Sequence, residues 1–134
     1  MNWKKELALS LASAFLSGLA CVIYDQIYSR AFYVNFSKII NIRGIMVLSI
    51  IGCLLMSIGY ILLIRWKGNK LIPWANVVYG VFSFASIVAV LSFKLPLDME
   101  SPELFPGLAT PMHFFPVLSF LIVYPFFKIN NQIK

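Results

Sequence analysis

The chain has a single histidine, His113, and it follows closely on three of the five acidic residues, Asp98, Glu100 and Glu103. Oxygen and imidazole donors in one short stretch are the raw material of a metal site or of an acid/base pair. Asp98 and Glu100 are two residues apart, so an extended backbone turns both carboxylates the same way. As a metal signal the set is weak, because one histidine with loose carboxylates is not a pair of ligands locked at helical spacing. The plainer alternative makes His113 a helix-end anchor and leaves the carboxylates solvated or paired with Arg43, Lys94 or Arg30. His113, Glu103, Glu100 and Asp98 are therefore the candidate catalytic residues and the only candidate metal ligands. No cofactor is implied.

The segment that carries them, 94–116, is rich in proline and alternates its charges with Leu97, Met99, Leu104, Phe105 and Leu108. Such a pattern describes a rigid, partly buried cap and not a flexible linker. Ser101-Pro102-Glu103 has the form of a helix start, with a capping serine, a proline at the first helical position and an acid in the first turn. Pro106-Gly107 is expected to end that turn. Thr110-Pro111 repeats the signal, opening a helix with His113 in its first turn. Pro116 is expected to kink that helix or to move its start later.

The elements that hold this cap are set by solvent. Of 134 residues, 60% are hydrophobic and 12% are charged, about half the charged share of an average soluble domain. Too few charges are present to wet a soluble surface, and hydrocarbon resolves the imbalance. A spanning helix takes about 20 apolar residues, and four runs qualify: 7–24, 44–64, 74–95 and 111–127. The fold class that follows is an all-α membrane protein, a bundle of four transmembrane helices forming one integral membrane domain over 1–134. Its net charge of +6 is spread in ones, twos and threes at the ends of apolar runs, so nucleic-acid binding is excluded as a reading. Lys4, Lys5, Arg65, Lys67, Lys70, Lys128 and Lys134 fall on one side, against Arg30, Lys38, Arg43 and Lys94 on the other. The richer side belongs in the cytoplasm, giving both termini inside, an outer cap and an anionic inner leaflet as neighbour. The plasma membrane is the expected location.

Details qualify each span. Lys4-Lys5, an apolar run and Ala20 before Cys21 resemble a lipoprotein-type secretory signal, but Gly18 departs from its pattern and the run continues to Tyr24, so a retained span is favoured. Tyr24, Ile27, Tyr28, Ala31 and Phe32 recur at helical spacing, which predicts a first helix projecting about two turns beyond the bilayer with an aromatic stripe packed on the third loop or in headgroups. Residues 31–43 mix apolar and polar types as an interfacial segment or lid would. They include Asn35-Phe36-Ser37, a glycosylation acceptor triplet common by chance. The second loop is a tight turn at Gly68 and Asn69, framed by Trp66 and Trp74 as interfacial anchors, with Pro73 opening the third helix. Cys21 and Cys53 lie inside apolar runs and read as buried, unbridged thiols. Small residues share faces of the first three helices: Ser10, Ala14 and Gly18; Ser49, Cys53 and Ser57, with Gly52 and Gly59 nearby; Asn76, Gly80 and Ser83. Such faces let helices approach closely, favouring packing within the bundle over a homo-oligomer or a membrane-protein partner.

Three function classes remain. A non-catalytic partner, sensor or assembly subunit, with the cap as its recognition surface, needs no alignment of polar groups and is favoured. An outer-face enzyme or metal-dependent site built from the loop between the third and fourth spans is the alternative. A transporter or channel component is the third. Small multidrug transporters share this length and span count, but they carry a buried glutamate in the first helix, where this chain offers only Ser10, Ser13, Ser17 and Cys21. The orientation is directly testable. Green fluorescent protein fused after Lys134 is expected to fluoresce and alkaline phosphatase there to be inactive, while phosphatase inserted after Leu97 is expected to be active. The reverse pattern would invert the topology.

Overall fold

The computed structural model describes residues 3–95 and 101–129, and these form four long helices, with no strand among them. They are α1 (Trp3–Phe32), α2 (Ile42–Lys67), α3 (Ile72–Ser92) and α4 (Phe105–Ile129). Each contains an apolar window long enough to cross hydrocarbon, and the outward faces carry exposed side chains such as Phe15, Leu55, Phe82 and Ile122. Those faces suit lipid as solvent, and the chain is a multi-pass membrane protein of the all-α, four-helix-bundle class.

Three of the helices run beyond the spans read from hydropathy, whereas α3 stops at Ser92, three residues short of the 74–95 run, where Phe93 turns extended and its amide donates to the Val90 carbonyl at 3.2 Å. α1 continues to Phe32, as the aromatic stripe implies. It stops where Tyr33 takes the left-handed conformation (φ 55°) and the Val34 amide donates back to the Ser29 carbonyl at 3.1 Å. That five-residue return bond is a Schellman closure, usually made with glycine. Asn41 starts α2, its side-chain oxygen accepting from the Gly44 amide at 2.6 Å. At the other end Gly68 (φ 69°) turns the chain into a 3-10 turn over Gly68–Leu71, and Pro73 sits in the first turn of α3. Trp66 and Trp74 are both exposed beside that turn, as interfacial anchors should be.

α4 corrects the expectation drawn from its prolines. The helix does not begin at Thr110-Pro111; it begins at Phe105 and runs unbroken through Pro106, Gly107, Pro111, Pro116 and Pro125. The turn at Pro102–Leu104 leads straight into it. Ser101 is left-handed (φ 50°) and makes no capping bond, so its predicted capping role is not realised. Proline blocks a helix by withholding an amide from the carbonyl four residues back. Here the carbonyls behind Pro111 and Pro116, those of Gly107 and Met112, face Tyr24 and Cys21 of α1, and the helix survives.

Two cores stack along the bundle. Near the α2–α3 turn, Leu9, Cys53, Met56, Tyr60 and Phe120 pack with Tyr79 and Tyr124. The Tyr60 ring lies within 5.5 Å of Tyr79, 5.1 Å of Phe120 and 4.9 Å of Tyr124, centroid to centroid. Its hydroxyl donates to the Asn76 side chain, which answers the most polar group of α3. At the opposite, capped end, Val34, Phe36, Val90, Phe105 and Leu108 form the second core. Phe36 is 1% exposed, so 34–41 folds inward as a lid, and Asn35 spends its side-chain oxygen on the Ser37 amide at 2.9 Å.

Small residues do their work inside this bundle. Ser10, Ala14, Ser49, Cys53 and Ser57 are buried, and Ser17 donates to Ser49 across the α1–α2 contact at 3.3 Å. Gly59 lets the Tyr79 hydroxyl reach the Met56 carbonyl at 2.9 Å, and a methyl group at Gly59 would collide with that hydroxyl. Gly59→Ala is therefore expected to destabilise the protein by about 1–3 kcal/mol, read as a lower thermal midpoint by circular dichroism in detergent. Tyr79→Phe in the same chain should recover part of the loss; strictly additive effects would contradict this contact.

Candidate ligand-binding site

The aromatic stripe of α1 and the prolines of α4 solve one problem together. Cys21, Tyr24 and Tyr28 share a face of α1 at spacings of three and four residues. Pro111 leaves the Gly107 carbonyl without its helical donor, and Tyr24 donates its hydroxyl to that oxygen at 3.0 Å. Pro116 does the same to the Met112 carbonyl, which lies 3.9 Å from the Cys21 thiol, a long and weak contact. Tyr28 donates to the Leu104 carbonyl at 2.8 Å. From α3, Ser83 donates to the His113 carbonyl at 2.8 Å, and the Cys53 thiol of α2 lies 4.0 Å from the Pro116 carbonyl. Every one of these acceptors is a backbone oxygen of α4 or of the turn leading into it.

This arrangement fixes α1 and α4 side by side at the capped end, while the hydrogen bonds between α2 and α3, Tyr60 to Asn76 and Tyr79 to the Met56 carbonyl, lie towards their shared turn. The space left between α2 and α3 is a cavity of about 550 Å³, a size typical of small-molecule sites. Its back wall is α4, through Phe105, Ala109, Met112, His113 and Pro116. Ile39, Ile40 and Asn41 of the lid close its top, and Cys21 and Ser49 lie on its wall from α1 and α2. Gly44, Ile45 and Val90 complete the walls from α2 and α3, and Leu48 of α2, Ala89 of α3 and Phe93 just past α3 lie at the rim. Leu48 and Phe93 line the cavity and yet are 70% and 57% exposed, so the mouth opens sideways between α2 and α3, towards lipid.

His113 sits in the third turn of α4, not the first, because the helix starts earlier than the sequence implied. Its Nδ1 lies 2.8 Å from the Ala109 carbonyl. A carbonyl only accepts, so Nδ1 carries the proton, and Nε2 of the neutral ring keeps its lone pair. The anchoring role expected of His113 is thus to its own helix backbone, and the residue lines the cavity besides. Glu103 is exposed on the turn at Pro102–Leu104 and is not on the cavity wall. Ten helical residues place it roughly 15 Å along the axis from His113. Asp98 and Glu100 lie outside the described residues. Among the described residues, no three of His, Cys, Asp and Glu gather in a group that could hold a metal ion.

Sequence reasoning named His113 and the lid but missed the companions that make a cavity. Cys21 and Ser49 read as buried packing residues, and Phe105 and Met112 as loop and helix-start residues. Comparison with known proteins adds nothing to this set: no family model, no curated protein and no solved structure matches the chain.

The hydroxyl–carbonyl pairing makes its own prediction. Tyr24→Phe is expected to cost about 0.6–1 kcal/mol, the usual worth of a hydrogen bond within a membrane bundle. In a Pro111→Ala background the new amide satisfies the Gly107 carbonyl, so the same Tyr24→Phe change should cost markedly less. Unfolding of the four proteins in mixed micelles completes the double-mutant cycle; no coupling between the sites would refute the pairing.

Proposed function

We propose that this protein is a non-catalytic binding component of the membrane, whose capped end recognises a small membrane-borne ligand in the cavity between α2, α3 and α4. The observation that carries the reading is the cavity itself: about 550 Å³, walled almost wholly by apolar side chains, roofed by an inward-folded lid and open to the side. A sideways mouth selects molecules already dissolved in the bilayer, which reach it by lateral diffusion. With both termini in the cytoplasm the cavity belongs to the outer half of the plasma membrane. There the lid and the turn at 101–104 offer a surface on which an occupied state could be read by a second membrane protein.

Two features favour binding over catalysis. Acid/base work needs two titratable groups within reach of one substrate atom, and His113 is the single ionisable group on the described wall that is not a buried thiol. Its Nδ1 is already committed to the Ala109 carbonyl. A positioned histidine with one acceptor nitrogen orients a ligand; it lacks the second group that would turn one over.

The test fills the mouth. Ala89 is an exposed rim residue, so Ala89→Trp should fold normally and obstruct entry. Wild-type protein purified in mild detergent is expected to retain a near-stoichiometric small amphiphile, identified by mass spectrometry of its organic extract, and Ala89→Trp to retain at least about tenfold less. Equal extracts from the two folded proteins would overturn the binding reading.

A further inference from the structure

We infer that the cavity is built for a lipid alcohol, a hydrocarbon chain or ring system whose hydroxyl donates to Nε2 of His113. This rests on the binding reading above and adds the chemistry of the ligand's polar end.

The acceptor atoms of the other polar side chains on the wall are already engaged. Asn41 gives its side-chain oxygen to the Gly44 amide and so caps α2. Ser49 is paired with Ser17, and the Cys21 thiol is directed to the Met112 carbonyl. Asn41 keeps its amide N–H donors and Ser49 its hydroxyl proton, but His113 alone presents an acceptor atom with no hydrogen bond among the described residues, because the bond from Nδ1 to the Ala109 carbonyl fixes the tautomer and leaves Nε2 of the neutral ring as an acceptor. No hydrogen bond to Nε2 is made by the described residues. A ligand that meets this acceptor must therefore bring a donor.

The ligand must also be uncharged. The described wall offers no carboxylate to a cationic headgroup and no Lys or Arg to an anionic one, and an uncompensated charge in so apolar a space is strongly disfavoured. A neutral molecule of membrane solubility with one strong donor is, in the simplest case, an alcohol. Its hydroxyl meets His113 on the α4 wall, and its hydrocarbon lies along Ile45, Val90 and Met112 before leaving between Leu48 and Phe93. Burying the hydroxyl against a waiting acceptor removes the desolvation cost that would otherwise keep it at the membrane surface.

Linear isoprenoid alcohols and polycyclic alcohols both present this chemistry, and matched ethers separate the hydroxyl from the hydrocarbon. Binding of tritiated farnesol and of cholesterol, each against its own methyl ether, would be measured on the full chain in lipid nanodiscs. At least one alcohol is expected to bind about tenfold tighter than its ether, the worth of one buried hydrogen bond, and which alcohol does so identifies the source. His113→Phe should erase that preference while changing the ether's affinity less than about twofold. His113→Gln, which returns an acceptor near the Nε2 position, should restore part of it; its folding is checked by the same helical circular dichroism. An ether that binds as tightly as its alcohol in wild-type protein, with Ala89→Trp still blocking both, would overturn the hydroxyl assignment and leave the binding reading standing. Failure of every probe together with no effect of Ala89→Trp on the purified extract would overturn both.

Discussion

A proline inside a helix leaves the carbonyl four residues back without its helical donor, and the rest of this bundle is arranged around that constraint. A helix with prolines at 111 and 116 is therefore steadied by neighbours that donate. Tyr24 and Cys21 of α1 supply a hydroxyl and a thiol to the two freed oxygens, with Tyr28 reinforcing at Leu104. The aromatic stripe that extends α1 past the hydrophobic span is thereby explained: its tyrosines are long enough to cross from one helix axis to the backbone of the next. Gly107 completes the fit, since any side chain there would occupy the position of the Tyr28 hydroxyl.

Once α1 and α4 are tied at the capped end, the other two helices have unequal freedom. α2 is held along α1 by close packing, with Gly18 placed against Met46 and Ser17 bonded to Ser49. α3 is held to α4 by Ser83 and to α2 by the Tyr60–Asn76 and Tyr79–Met56 bonds near the shared turn. Among the described residues, no comparable bond draws α2 and α3 together at the opposite end. The cavity is the geometric consequence of a bundle clamped on three seams and open on the fourth. It is bounded by the same α4 backbone whose prolines set the clamping in motion, and His113, between Pro111 and Pro116, lies on its wall.

Much of this architecture was legible in the residues. The four spans, the tight turn at Gly68, the opening of α3 at Pro73, the projecting stripe of α1 and the inward lid all follow from composition, periodicity and local chemistry. The start of α4 was not legible in this way. Pro106-Gly107 and Thr110-Pro111 carry the local marks of a stop and a start, and judged locally they are correct. Those marks place His113 in a first turn and Phe105 outside the helix, hiding two members of the cavity wall. Asp98 and Glu100, which made the 94–116 segment look chemical, fall outside the described residues, and Glu103 stands exposed and apart from His113.

The sequence by itself determined the solvent, the number of crossings and the places where helices turn, because those depend on hydropathy and on the conformational preferences of single residues. Tertiary structure alone decided that α4 would be one helix and that His113 would line a cavity. The physical reason is that a proline breaks a helix or is tolerated in it according to whether a donor arrives from elsewhere. A donor on another helix has no fixed distance in sequence. Tyr24 and Gly107 are far apart along the chain and 3.0 Å apart in space. No local rule connects them, and the shape of the site rests on that bond.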